Sequence, residues 1–144
     1  MARHRFSFLT MIVFVLGFAL GQAFDATPTA NAQSRKVFEL RTYTAPEGKL
    51  PNLLARFRDH TVGFFEKHGM QNVGYWVPLD APASANTLIY ILAHDSREAA
   101  AKSWDAFRQD PDWLRARDAS QVDGPITSNV ASVFMDATDF SPMQ

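Results

Sequence analysis

The chain has 144 residues, with 14 Lys and Arg against 15 Asp and Glu, many aromatic side chains and no cysteine. That composition excludes disulfide staples, thiolate chemistry and cysteine-bound metal, and the lack of a basic cluster argues against nucleic acid as a partner. The length allows one domain with one core.

Arg3, His4 and Arg5 make a basic start, Phe6 to Leu20 is a nearly unbroken apolar run, and Ala30-Asn31-Ala32 is a small-x-small cleavage pattern. Together these read as a secretory signal peptide, residues 1–32, because the run is shorter than the ~20 residues that span a bilayer. An uncleaved signal anchor is the alternative, since Gly21 to Thr29 makes a long spacer. Cleavage after Ala32 would leave a domain of residues 33–144, with 12 basic against 14 acidic side chains. It would be periplasmic or secreted and hold no membrane contact of its own.

Val37 to Thr44 alternates and carries β-formers, so it reads as a strand ended by Pro46 and Gly48. Phe38, Leu40 and Thr42 share one face of it, and Glu39, Arg41 and Tyr43 the other. The latter three line a polar pocket or form cross-strand pairs inside a dimer. A helix is expected over Leu50 to His68, with Leu53, Leu54, Phe57, Thr61, Phe64 and Phe65 spaced by three or four, Pro51 in the first turn and Gly69 as the stop. Met70 to Val77 reads as a second strand, Pro78 to Ala85 as a loop, and Asn86 to His94 as a third and most apolar strand. Ser96 is suited to cap a second helix whose inner face carries Ala100, Trp104 and Phe107. Asp110 can then cap a short helix with Pro111 at its first position. Thr127 to Asp136 is the last strand.

The order is β-α-β-β-α-β. It predicts an α+β fold of the ferredoxin-like type, an antiparallel sheet with its helices on one face. The other face then holds apolar groups from several strands, either Val37, Ile89 and Ile91 or their opposite numbers, and period two cannot choose between the sets. A bare apolar face of that kind predicts a homodimer in which two sheets pack together.

Val37-Phe38-Glu39-Leu40-Arg41-Thr42-Tyr43-Thr44, Arg58-Asp59-His60-Thr61, Phe65-Glu66-Lys67-His68-Gly69-Met70, Val73-Gly74-Tyr75-Trp76 and Asp110-Pro111-Asp112-Trp113 follow one another in an order and spacing that resemble the NIPSNAP family, over about Val37 to Pro142. The resemblance implies a dimeric α/β barrel, a superfamily whose members hold ligands between helix and sheet and include cofactor-free oxygenases and isomerases. The exported leader departs from the mitochondrial and vesicle-related roles of animal members, which are not carried over.

Among candidate groups, His60 lies on the helical wheel beside Leu53 and Phe64, from where it would reach the space between helix and sheet as a base or ligand anchor, or serve as a hydrogen-bonded core-edge residue. His68, in the last helical turn, can answer the helix dipole. His94 ends the third strand, in either a loop role or a functional one. His60 and His68 stand about two turns apart, ~12 Å, too far to share a metal. No metal site and no cofactor is expected, although a haem would need only one histidine, His60 or His68, beside an apolar slot.

The reading is an exported homodimer that binds a small apolar or aromatic ligand in a helix–sheet cleft shaped by Tyr43, Trp76, His94 and Trp104, with His60 as the group that polarises it. A cofactor-free monooxygenase or isomerase using His60 as base, and a non-catalytic structural or interaction protein, are the alternatives.

Overall fold

The computed structural model describes residues 35–143. The expected signal peptide, 1–32, and its cleavage point after Ala32 lie outside the described residues. Four strands, β1 (Val37–Thr44), β2 (Gln71–Trp76), β3 (Thr87–His94) and β4 (Asn129–Asp136), form one sheet in the order β2-β3-β1-β4, and every neighbouring pair is antiparallel. This is the ferredoxin-like α+β arrangement expected from the order of elements.

The first helix is not continuous. It runs as α1 (Leu50–Arg56), a π-helical turn (Phe57–Thr61) and α2 (Val62–Lys67). The Val62 N–H donates to the Phe57 carbonyl five residues back, and the Thr61 hydroxyl donates to the Arg56 carbonyl at 3.2 Å. The π-turn has a cause in the sequence. Leu53, Phe57, Thr61 and Phe65 are all buried at a spacing of four. A regular helix advances 3.6 residues per turn, so a period of four drifts about 40° at each step. One inserted residue returns the series to the core.

Gly69 then stops α2 at φ +75°, a conformation that costs a side chain-bearing residue roughly 1–2 kcal/mol. There Gly69 N–H and Met70 N–H satisfy the Glu66 and Phe65 carbonyls. The second helical layer is α3 (Arg97–Gln109) and α4 (Pro111–Ala119). The Ser96 hydroxyl accepts the Ala99 N–H at 3.0 Å to cap α3. Asp110 caps α4 by accepting from Asp112 N–H at 2.8 Å and Trp113 N–H at 3.4 Å. The same carboxylate takes Lys67 and His68, each at 2.7 Å, so it fastens the end of α2 to the start of α4. Lys67 first, with His68 and the two backbone donors behind it and burial opposing, holds the Asp110 carboxyl well below the usual range. His68 is therefore a tie between helices, a more specific role than the helix-dipole one its position predicts.

The core lies between helices and sheet, around Phe57. Its ring meets Tyr43, Tyr75 and Tyr90 at centroid distances of 5.5, 6.0 and 5.2 Å. Leu53, Phe65, Leu88, Leu92, Trp104, Phe107 and Trp113 complete it. The helices rest on β2 and β3, and the helix side of β4 is left open, with Val130 41% exposed and Ser132 also exposed.

The other sheet face carries Phe38, Leu40, Ile89, Ile91, Val133 and Met135. Residues 137–143 return beside Phe38, Ile91 and Met135, enclosing a hollow of about 240 Å³. Val133 is still 55% exposed there. This settles the face that alternation left open: Phe38, Leu40 and Thr42 point away from the helices, and Glu39, Arg41 and Tyr43 point toward them.

Removing the α3 cap tests this local account. Ser96→Ala should lower unfolding free energy by about 1 kcal/mol in urea titration with an unchanged m-value; no loss would mean that the Ala99 N–H is satisfied otherwise.

Candidate functional site

Glu39, the third residue of β1, projects into the helix–sheet space and is 1% exposed. A buried carboxylate needs donors, and Glu39 has four. Arg41 Nη1 and Ser132 Oγ each donate to Oε1 at 2.6 Å, while Trp104 Nε1 and His94 Nε2 donate to Oε2 at 2.7 and 3.1 Å. Burial pushes the Glu39 carboxyl up, but the donors His94, Ser132, Trp104 and Arg41 together outweigh it and bring it down from 4.5 to about 2. Glu39 is thus a fixed negative charge with its lone pairs taken. It holds other groups in place and is a poor proton acceptor.

Strand pairing explains the convergence. Glu39 lies opposite Leu92 and Phe134, and Arg41 opposite Tyr90 and Ser132, so alternate residues of β1, β3 and β4 stack on one face. His94 is one pleat beyond Leu92 on the same side. Trp104 descends from the buried face of α3, and its indole lies 4.2 Å beneath the Arg41 guanidinium, a cation–π contact. Tyr43 flanks Arg41 on the other side at 5.6 Å.

His94 is the group here with chemical freedom. A carboxylate only accepts, so Nε2 carries the proton that faces Glu39. That leaves Nδ1 as the lone-pair nitrogen whenever the ring is neutral, and this buried atom has no hydrogen-bond partner. The ring packs 6.1 Å from Phe134, over which Arg97 lies at 3.6 Å.

Of the residues singled out in the sequence, Tyr43, His94 and Trp104 come together around Glu39 and Arg41. Two do not. His60 is exposed, in a surface hollow of about 300 Å³ with Asn52, Asp59, Ser120 and Asp123. The expectation that it reaches the helix–sheet space is corrected: His60 sits inside the π-turn, where the extra residue carries Thr61 inward and His60 outward. Trp76 is 51% exposed on the opposite sheet face, folded back over Gly74, and does not line the cleft. Of the two roles open to Glu39, Arg41 and Tyr43, the inward-facing polar cluster is the one realised. Ser132 was not visible as a site residue. The available signal was Glu39 and Arg41 together, two charges on one face of a strand whose other face is apolar.

A third hollow, about 240 Å³ and nearly all apolar, opens on the far flank of α1 between Leu54, Phe57, Arg58, Val62, Tyr75 and Leu88. Among the described residues no group of three or more His, Asp and Glu is placed to hold a metal.

A four-stranded antiparallel sheet with a helical layer on one face, and a polar cluster between them, defines the protein as an α+β domain of the ferredoxin-like class. The NIPSNAP family model matches residues 38–142, and the chain belongs to the NIPSNAP family. It is similar in structure to a NIPSNAP family protein of unknown function from Agrobacterium tumefaciens, with 23% identity, 77% of this chain and 96% of that chain covered, and a TM-score of 0.67. It is similar also to the ActVA-Orf6 monooxygenase of Streptomyces coelicolor, solved with nanaomycin D, at 14% identity, 79% and 97% coverage and a TM-score of 0.54. A third likeness is to SnoaB, a cofactor-independent oxygenase from Streptomyces nogalater, at 15% identity, 75% and 98% coverage and a TM-score of 0.51. At these identities the likeness is one of fold. No curated protein matches the chain.

The Glu39 cluster predicts a pH signature. Its carboxyl ionises near 2 when folded and near 4.5 otherwise, so its stabilisation is complete above pH 4.5 and fades as pH falls toward 2. The difference corresponds to about 3 kcal/mol. Denaturant titrations from pH 7 to pH 2 should show Glu39→Gln less stable at neutral pH, with the gap to wild type closing in acid. Two parallel profiles would mean that Glu39 is not held as a charged group.

Proposed function

We propose that this NIPSNAP domain acts as an exported homodimer that binds a small, largely aromatic ligand in the cleft between helices and sheet, without turning it over. The observation that carries the reading is the open helix side of β4. Val130 and Ser132 are exposed there, and Ser132 and Arg41 lead from solvent straight to the buried Glu39. The planar surfaces of Tyr43, Trp104 and Arg41 supply stacking walls, and polar groups are few and held in place, as small-molecule sites require. Self-association through the apolar sheet face that carries Leu40, Ile91 and Val133 would leave this cleft accessible in each protomer.

A second reading, proton abstraction followed by reaction of the substrate anion itself, is favoured by the Glu39–His94 pair. His94 Nδ1 rather than His60 would then be the base, since an oriented imidazole with a free lone pair is what that chemistry needs.

Native mass spectrometry of the protein from its own host's envelope tests the proposal. A dimer with extra small-molecule mass is expected, with the mass lost in Trp104→Ala and kept in His60→Ala, and a monomer in Val133→Lys. A bare wild-type protein, or loss of the extra mass in His60→Ala, would contradict the binding reading. Turnover of a phenolic substrate that disappears in His94→Ala would favour the second one.

A further inference from the structure

The apolar hollow on the far flank of α1 is built from both layers of the fold. Phe57 and Leu88 are its buried floor, Leu54, Val62 and Tyr75 stand half-buried around them, and Arg58 is exposed at the mouth. The Phe57 and Tyr75 rings meet at 6.0 Å and 67°, and both rest on the fully buried Tyr90, at 5.2 and 5.4 Å. That packing fixes the planes of both rings.

The π-turn shapes the helix side. In a regular helix, residues five apart point about 140° away from each other. Here the Val62 N–H donates to the Phe57 carbonyl, and the extra residue brings Val62 round to the flank where Leu54, Phe57 and Arg58 lie. Turns of this kind are rare and occur frequently at functional sites. The helix side is also tied to the sheet side. The Tyr75 hydroxyl donates to Asn72 Oδ1, and Asn72 Nδ2 donates to the Val62 carbonyl at 3.2 Å and to Glu66 Oε1 at 3.1 Å. One asparagine thus holds two of the residues around the hollow, Tyr75 of β2 and Val62 of α2, in fixed relation.

Charge is nearly absent from this surface. Burial first, with Glu66 behind it, pushes the Tyr75 phenol up, so it stays neutral. Among the residues around the hollow only Arg58 is charged, and it lies at the solvent side. A charged ligand inside would give up its water without gaining hydrogen-bond partners, which is costly. A neutral aromatic ring avoids that cost, meets the Phe57 and Tyr75 rings in edge or offset geometry, and leaves its outer face to the Arg58 guanidinium. An apolar cavity of about 150 Å³ takes up benzene, so a hollow of about 240 Å³ has room for one ring with a substituent.

We propose that this hollow is a binding site in its own right, separate from the Glu39 cleft, for a neutral molecule built on one substituted aromatic ring. Two packed rings lie on the way from it to the Glu39 cluster, since Phe57 meets Tyr43 at 5.5 Å and Tyr43 meets Arg41 at 5.6 Å. The proposal therefore stands whether or not the cleft itself holds a ligand.

Toluene is the probe, followed by 13C NMR of the methyl groups, with benzoate and benzylamine as charged counterparts of the same ring. The Leu54, Val62 and Leu88 methyls should shift together and saturate, and move further than those of Ile91 in the far-face hollow or Val130 at the Glu39 cleft. Benzoate and benzylamine should bind about ten-fold more weakly or worse. Val62→Phe places a ring in the hollow from its own wall and should weaken toluene binding about ten-fold or more. Leu54→Phe fills the same space from α1 and should act alike, so the test survives a failure of Val62→Phe to fold. Unmoved Leu54, Val62 and Leu88 methyls, equal or larger shifts at Ile91 or Val130, equal binding of the charged probes, or full toluene affinity in a folded filling variant would each overturn the proposal.

Discussion

A carboxylate taken out of water must be given back its hydrogen bonds, and Glu39 recovers them from four different elements. Arg41 comes from its own strand, His94 from β3, Ser132 from β4 and Trp104 from α3. Each of these contacts fixes the register of an element as well as satisfying the charge. A slip of one residue in β1 would turn Glu39 to the far sheet face and leave Trp104 Nε1 and His94 Nε2 without an acceptor. The position of α3 over the sheet, the pairing of β4 and the tautomer of His94 all follow from one buried charge. The cost is stability that depends on that charge being present; the return is a polar cluster whose members are each held by a hydrogen bond to Glu39.

The same charge divides the sheet into two working surfaces. Toward the helices, alternate strand positions carry Glu39, Arg41, Tyr43, Tyr90 and His94 among apolar neighbours. Away from them lie Leu40, Ile89, Ile91 and Val133, beside the returning segment 137–143. The helices cover only part of the first surface, and the open β4 edge connects the interior with solvent. The fold itself is common to oxygenases and to NIPSNAP proteins of unknown function, so it does not choose among chemistries. The choice here falls to one feature of this chain: an imidazole oriented by a carboxylate that is a poor proton acceptor.

Much of the fold was legible. Strand alternation, the Ser96 and Asp110 caps and Gly69 as a stop placed the elements, because each is a local rule. The faces were not legible in β1, where the apolar set Phe38, Leu40 and Thr42 invited the inward assignment and the charged set took it. Apolar-inward is a rule about average cost, and four donors for Glu39 reverse it. Within the site, Tyr43, His94 and Trp104 were found from residue type and position, while Ser132 was not. Its role depends on a tertiary neighbour from another strand. The placement of His60 failed for a geometric reason. A wheel at 3.6 residues per turn puts it beside Leu53 and Phe64, but the spacing of four from Leu53 through Phe65 demands an extra residue, and the π-turn that supplies it rotates His60 to the surface. That spacing was in the sequence and is the signal to look for.

The central claim is that a charged Glu39 holds the interior together through Trp104. Two-dimensional 15N NMR of the three tryptophan indoles, followed from pH 7 to pH 2.5, tests it most directly. The account predicts one strongly downfield, exchange-protected Nε1–H resonance, assigned by Trp104→Phe, that stays in place through pH 4.5 and shifts only as the pH approaches 2, the ionisation range of Glu39 in the folded protein. A Trp104 indole at an ordinary position, or one that titrates with a midpoint near 4.5, would contradict it.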